Sequence, residues 1–113
     1  MRGPIQVTER TFEREVLQPA VPVLVDFWAS WCPSCRALAP ALDEVSREEA
    51  DRLKVVKIDV DRDPVLADRY GVDGLPTLIL FQHGREVGRV VGALPKHALL
   101  AHFGKHLIPV SAA

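Results

Sequence analysis

One apolar run, residues 21–28, constrains the fold of this chain more than any other feature. Only Pro22 and Asp26 break it. A run that is apolar on both faces is typical of a central strand covered by helices on each side. Shortly after it comes the tetrapeptide Cys32-Pro33-Ser34-Cys35, which contains both cysteines of the chain. The sequence therefore predicts a vicinal dithiol at the point where a buried strand passes into a helix.

The remaining pattern alternates strands with helices. Apolar runs predict further strands at 5–7, 53–60, 77–82 and 86–91. Helices are predicted after Thr8 as N-cap, over 32–49 with a kink where Pro40 interrupts it, over 64–69, and from Pro95 onward. The early strands need parallel crossovers, whereas His83-Gly84-Arg85 joins the last two strands as an antiparallel hairpin. We therefore expect an α/β fold with a central mixed five-stranded sheet flanked by helices on both faces.

The length and charge of the chain limit its class. The 113 residues suit a single domain, 1–113, in which only the tail 109–113 resembles a linker. The net charge is -1 and no basic block is present, so we expect no nucleic-acid partner. The first seven residues lack the apolar core of a secretory signal, and no apolar stretch approaches the roughly 20 residues of a membrane helix. We therefore expect a soluble, cytoplasmic protein that does not associate with a membrane.

The two cysteines suit redox chemistry better than structural crosslinking. A disulfide across so short a loop stabilises by roughly 2 kcal/mol, less than half the value for a loop of about 100 residues. A thiolate is the species that attacks disulfides, and a helix N-terminus stabilises an anion. Cys32 lies at the predicted helix start, Pro33 suits the first turn, and Cys35 follows one turn later. We expect Cys32 to be the nucleophile and Cys35 the resolving thiol.

A CxxC pair can also be half of a zinc site, which needs about four ligands. His102 and His106 have the i, i+4 spacing of possible ligands. They flank the apolar stripe of the last predicted helix, so we interpret them as surface histidines. Because the CxxC lies between a strand and a helix in an α/β pattern, the redox interpretation is preferred and no metal is expected.

The residues around the dithiol resemble the active-site signature of the thioredoxin family. The signature is Val25-Asp26-Phe27-Trp28-Ala29-Ser30-Trp31-Cys32-Pro33-Ser34-Cys35-Arg36, and similar residues continue at Pro40, Lys57, Asp61, Tyr70-Gly71-Val72-Asp73-Gly74-Leu75-Pro76-Thr77, Gly84 and Val91-Gly92-Ala93. The resemblance covers nearly the entire chain. It implies the thioredoxin fold and a dithiol electron carrier, without a bound cofactor, that reduces disulfide-containing target proteins. It also implies recharging by a flavin-dependent thioredoxin reductase, and we expect a monomer.

Asp26 is the only charge in the apolar run 21–28. Burial makes a carboxylate costly and raises its pKa. One interpretation is a structural ion pair with Lys57, which lies in the otherwise apolar run 55–58. The resemblance favours another, in which Asp26 and Lys57 are catalytic residues and Asp26 accepts a proton from Cys35.

Pro76 leads the predicted strand 77–82, a position where proline costs no hydrogen bond of the ladder. The residues alone are compatible with a simple strand-leading proline. The resemblance implies a cis proline that faces the dithiol and leaves the neighbouring backbone free to pair with an extended substrate. It also implies that a shallow apolar substrate-binding patch is framed by Trp31, Gly74, Leu75, Gly92 and Ala93.

Two departures from the family pattern bear on redox potential and partner choice. Thioredoxins most often carry Gly-Pro between the cysteines, whereas this chain carries Pro33-Ser34. Ser34 retains a backbone N–H, which we expect to hydrogen-bond the Cys32 thiolate and raise the reduction potential. Arg36 and Asp73 stand near the motif, at surface positions where relatives often carry a lysine and a basic or neutral residue. We expect the same chemistry with a shifted potential and altered partners.

The sequence therefore predicts a thiol-disulfide oxidoreductase that reduces protein disulfides. One alternative is an oxidant or isomerase of the same fold, but those proteins usually carry a histidine within the CxxC or a secretory signal, and this chain shows neither. The other alternative is a non-catalytic binding module with incidental cysteines. The combination of Asp26, Cys32, Cys35 and Pro76 argues against such a module.

Overall fold

The computed structural model describes residues 3–107. At its centre is a sheet of five strands: β1 Ile5–Gln6, β2 Val23–Trp28, β3 Lys54–Asp59, β4 Thr77–Gln82 and β5 Arg85–Val91. Their spatial order is β1-β3-β2-β4-β5. Strand β3 runs parallel to β1 and β2, whereas β4 is antiparallel to its neighbours β2 and β5. The predicted mixed five-stranded sheet is confirmed.

Helices cover both faces of this sheet. Between residues 3 and 107 they are a π-helical turn Glu13–Leu17, α1 Pro33–Glu48, α2 Pro64–Arg69, α3 Lys96–Phe103 and a 3-10 turn Gly104–His106. Buried side chains of the π-helical turn and α2 pack on one face, and those of α1 and α3 pack on the other. In this part of the chain, no helix combines the length and apolar composition needed to cross a membrane.

Strand β2 lies at the centre of the sheet, and its side chains alternate between two cores. Val23, Val25 and Phe27 belong to the core on the α2 side. Leu24 belongs to the core on the side of α1 and α3. Successive side chains of a strand point to opposite faces, so Asp26 shares the face of Leu24. Asp26, the only charged residue of β2, therefore points toward the layer that contains α1.

One local prediction about helices is wrong. Thr8 does not cap a helix, because residues 8–11 form a turn in which the Thr8 N–H donates to Thr11 Oγ1 at 3.1 Å. The helical segment begins only at Glu13. The helix predicted over 32–49 is confirmed as α1, with Pro40 inside it, and the kink at Pro40 stays a prediction. Pro40 is exposed, so solvent can satisfy the carbonyl that its missing N–H leaves unbonded.

The hairpin between β4 and β5 is tighter than predicted. Arg85 already begins β5, so the loop contains only His83 and Gly84, with φ angles of 52° and 79°. Positive φ at both loop residues is the pattern of a type I′ turn, whose twist matches that of the two strands. A helix opens after Pro95, as predicted. The linker-like tail 109–113 lies outside the described residues.

Candidate active site

The dithiol lies at the N-terminus of α1. Cys32 is the N-cap residue, Pro33 occupies the first turn, and the backbone N–H of Cys35 donates to Cys32 Sγ at 3.2 Å. The cysteines are joined as a disulfide, the oxidised state of the couple, with their Cα atoms 5.3 Å apart. A sulfur at this position lies at the positive end of the helix dipole. The same arrangement stabilises a thiolate on Cys32 once the disulfide is reduced.

The two cysteines differ in their position relative to an open groove beside the helix start. Each cysteine is only 4% exposed, and both pack with Ala29. Cys32 lines the groove, which has a cavity volume of about 530 Å³, whereas Cys35 does not. Cys32 is therefore the cysteine that borders the groove, and Cys35 lies outside its lining.

Ser34 approaches Cys32 through its hydroxyl and not through its backbone N–H. Its Oγ lies 3.4 Å from Cys32 Sγ and 3.5 Å from Leu75 O. The backbone donor to Cys32 Sγ is Cys35 N–H. An N-cap side chain bonds to the N–H of the second or third helical residue, and the third is used in this disulfide state. In the oxidised state Ser34 therefore contacts Cys32 through its hydroxyl, and the expected bond from the Ser34 N–H to the Cys32 thiolate of the reduced state stays a prediction.

Asp26 is a buried carboxyl with an unsatisfied oxygen. The residue is 1% exposed, and no donor within the described chain reaches Asp26 Oδ1. Burial raises the pKa of this carboxyl to about 7, against a smaller lowering effect of the Lys57 charge. Such a group can gain or lose a proton near neutral pH, which is what a general base or acid must do.

Lys57 is the neighbour of Asp26 across the β2–β3 ladder but forms no salt bridge with it. Its Nζ lies 4.3 Å from the centroid of the Trp28 ring. The Trp28 indole N–H in turn donates to Gln6 Oε1 at 3.2 Å. The cation–π contact occupies the ammonium group, so the structural ion pair considered from the sequence is not formed. Asp26 therefore remains without a directly bonded counter-charge.

The loop before β4 lies beside the dithiol. The Leu75–Pro76 peptide bond is cis, as the resemblance implied. Leu75 packs against the cluster of Ala29 and the two cysteines. Pro76 is buried, and its carbonyl oxygen accepts the N–H of Gly92 at 2.8 Å. This bond ties the end of β5 to the loop that borders the site.

The groove brings together part of the predicted substrate patch. Trp31, Gly74 and Leu75 line it, along with Cys32, Pro33 and Ser34. The Trp31 side chain is prominent because the residue is 62% exposed, and its indole N–H donates to Asp61 Oδ2 at 2.8 Å. Pro76, Gly92 and Ala93 do not line the groove.

The far wall of the groove was not predicted. It is formed by the end of β3, by α2 and by the loop that follows: Val60, Pro64, Ala67, Asp68, Val72 and Asp73. Asp73 was placed near the motif, but the other five had no assigned role. The pairing of β3 with β2 brings this wall beside the dithiol. The only signal in the sequence was the short helix predicted at 64–69.

A family comparison decides the kind of protein that carries this site. The family model for thioredoxin matches residues 3–105. This chain belongs to the thioredoxin family.

Similar proteins support the same assignment. The chain is 48% identical over 101 residues to Thioredoxin 1 of Synechococcus elongatus, covering 89% of this chain and 94% of that protein. It is 48% identical over 107 residues to Thioredoxin 1 of Nostoc sp., covering 95% of this chain and 100% of that protein. It is also 49% identical over 96 residues to the bifunctional thioredoxin reductase/thioredoxin of Mycobacterium leprae, covering 85% of this chain and 21% of that protein.

The thioredoxin chemistry follows from the family and from the paired cysteines. This chain is a thiol-disulfide oxidoreductase and acts as a protein-disulfide reductase. Its targets are proteins that contain disulfides. The redox-active centre is the Cys32–Cys35 pair, which holds two electrons as a dithiol and gives them up as it forms the disulfide.

Proposed function

We propose that this thioredoxin reduces target disulfides in two exchange steps, in which Cys32 attacks and Cys35 resolves. The observation that carries the proposal is the position of Cys32 Sγ, which caps α1, while the residue also lines the groove. The Cys32 thiolate attacks one target sulfur, forms a mixed disulfide and releases the other target sulfur as a thiolate that takes up a proton. The Cys35 thiolate then attacks Cys32 Sγ, releasing the second target thiol and leaving the Cys32–Cys35 disulfide.

Asp26 is the proposed proton acceptor for Cys35. Its side chain points from β2 toward the layer that contains α1, and its pKa of about 7 suits proton exchange at neutral pH. Lys57 is proposed to assist, because its positive charge next to Asp26 favours the ionised carboxylate. The pair would thereby help to generate the Cys35 thiolate when the mixed disulfide has formed.

The loop before β4 and the exposed indole are the proposed contacts for the target. An extended target segment would pair with the backbone beside Pro76 while its apolar side chains contact Trp31 and Leu75. Gly74 borders the same groove. Gly92, whose N–H bonds to the Pro76 carbonyl, and its neighbour Ala93 would support this loop from the end of β5.

The recycling partner in this proposal is a flavin-dependent thioredoxin reductase. A similar Mycobacterium leprae protein carries thioredoxin reductase and thioredoxin in its name, which supports a pairing of the two activities. A dithiol that reduces targets must itself be kept reduced, and the cytoplasm is a compartment in which this occurs. We propose a single domain, 1–113, that acts as a monomer, because one chain supplies both cysteines and the groove beside them.

A coupled assay tests this function. The oxidised chain is mixed with a flavin-dependent thioredoxin reductase, reduced nicotinamide cofactor and insulin as the disulfide substrate. We expect cofactor consumption and insulin reduction that both rise with the concentration of the chain. Cys32→Ser should give no flux above the blank, because it lacks the attacking thiol. Equal flux with Cys32→Ser, or none with wild type at any concentration, would contradict the proposal.

Ser34→Ala should lower the reduction potential of the dithiol. A hydroxyl that donates to the Cys32 thiolate stabilises the reduced state, and a hydrogen bond to a charged group contributes roughly 1.5 to 3 kcal/mol. For a two-electron couple this corresponds to about 30 to 65 mV, and the exposure of Ser34 favours the lower end. Redox titration against glutathione measures the shift. Ser30→Ala is the matched control, and a Ser34→Ala potential equal to that of wild type would exclude the hydroxyl as the tuning group.

A further inference from the structure

The groove beside Cys32 carries negative charge and no positive charge among its lining residues. Asp68 and Asp73 are the two charged residues that line it, and both are exposed. Between residues 3 and 107, neither carboxylate forms a salt bridge. A third carboxylate, Asp61, lies next to the groove and holds Trp31 through the 2.8 Å hydrogen bond. Negative charge therefore lies along the far wall of the groove and beside Trp31.

The positive charges near the far wall of the groove do not cancel the negative charge of its carboxylates. Five aspartates and two arginines occur along residues 59–73. Arg89 lies close enough to Asp73 for their charges to interact, but its guanidinium hydrogen-bonds Glu86 and the Tyr70 carbonyl. The pKa of Arg89 is raised mainly by its hydrogen bond to Glu86 and less by the Asp73 charge. The field of Arg89 is thus largely compensated by its own partner.

We propose that Asp68 and Asp73 determine specificity by favouring target disulfides that are flanked by lysine or arginine. The inference rests on the proposed function, in which a target segment lies in this groove while Cys32 attacks. The apolar lining residues Val60 and Val72 take the apolar part of the segment, and the carboxylates at the rim attract its basic side chains. The chemistry is unchanged: the target disulfide gains two electrons and becomes two thiols as the protein dithiol becomes a disulfide.

The expected size of the preference follows from the exposure of the two carboxylates. One pair of opposite charges about 4 Å apart in water favours association by about fivefold. Salt weakens this attraction, because the Debye length falls from about 10 Å at 0.1 M to about 3 Å at 1 M. Attraction between exposed charges acts chiefly on the rate of association. The preference should therefore appear in the second-order rate constant and disappear at high salt.

The test uses the full chain, reduced beforehand, and three synthetic peptides of equal length with one disulfide each. The disulfide is flanked by two lysines, two alanines or two glutamates. At low salt we expect the lysine peptide to be reduced about tenfold faster than the glutamate peptide, with the alanine peptide between them. At 1 M salt the three rates should converge. Wild type that reduces all three peptides equally at low salt would overturn this inference and leave the proposed function intact, whereas failure to reduce any peptide would overturn the proposed function itself.

Matched substitutions locate the effect. Asp68→Asn and Asp73→Asn should each lower the lysine-to-glutamate rate ratio by about threefold, because each removes one screened charge from the rim. Asp51→Asn removes the same charge from an exposed position beyond the other end of α1, about 24 Å from Cys32 by the length of that helix. It should leave the ratio unchanged. An equal decrease with all three variants would assign the preference to net charge and overturn the role of the groove.

Discussion

Cys35→Ser should convert this thioredoxin from a reductase into a trap that remains covalently attached to its targets. Attack by Cys32 does not require the second thiol, so the mixed disulfide still forms. Without Cys35 nothing resolves it, and it persists. Cys32→Ser should form no such complex, and both variants should lose essentially all turnover. Non-reducing electrophoresis of each variant after incubation with insulin measures the covalent complex.

The double variant Cys32→Ser with Cys35→Ser is the control for this experiment. It should show no complex, and added dithiol reductant should release the complex formed by Cys35→Ser. Cys32 is assigned as the attacking thiol because it is the N-cap residue and borders the groove. Cys35 is assigned as the resolving thiol because it does not line the groove. Trapping by Cys32→Ser together with no trapping by Cys35→Ser would reverse the two roles.

Asp26→Asn should stabilise the oxidised protein by an amount that grows with pH. The pKa of Asp26 is about 7 in the folded protein, against 3.8 for an aspartate that is not buried, as in the unfolded chain. Both the folded and the unfolded state are protonated below the lower value, so no stability is lost there. As the pH rises through 3.8 and then 7, the unfolded state ionises first and the folded protein loses stability. Above both pKa values the folded protein has lost about 4 kcal/mol of stability, and the neutral amide of Asp26→Asn avoids this loss.

Denaturant unfolding at about pH 5 and about pH 8.5 measures this effect, with the disulfide intact so that the cysteines do not titrate. The stability advantage of Asp26→Asn over wild type should grow by about 2 to 3 kcal/mol between the two values. Asp51→Asn, at an exposed position, should show no comparable change. The reduced Asp26→Asn variant should also release its targets more slowly. An advantage that is the same at both pH values would contradict a buried carboxyl with a raised pKa.

The sheet was predictable because its signals are local and agree with one another. The run that forms β2 is apolar on both faces, and the proline at 33 and the glycine at 84 suit the helix start and the hairpin where they occur. The error at Thr8 concerns a position where two local signals compete. At Thr8 the hydroxyl of Thr11 forms a turn that replaces the expected helix cap. Helix α1 contains Pro40 as predicted, because the packing of its buried face outweighs the loss of one exposed backbone bond.

The placement of the candidate site residues was predictable, whereas their surroundings were predictable only in part. Cys32, Cys35 and Asp26 stand out from their immediate neighbours in the sequence, and their placement follows from the strand and the helix that carry them. The contact between Lys57 and the Trp28 ring depends on the pairing of β3 with β2. The far wall of the groove depends on the same pairing. The hydrophobic periodicity of a segment predicts whether it is a strand or a helix, but not which strand will lie next to it.

A redox titration of the Cys32–Cys35 couple against glutathione establishes whether the dithiol is reducing enough for a reductase. The reference potential of the thioredoxin family is about -270 mV, and the Ser34 hydroxyl should raise the potential of this chain by about 30 mV. We therefore predict a midpoint of about -270 to -230 mV. A midpoint at or above about -180 mV, where disulfide isomerases and oxidants lie, would contradict a reductase.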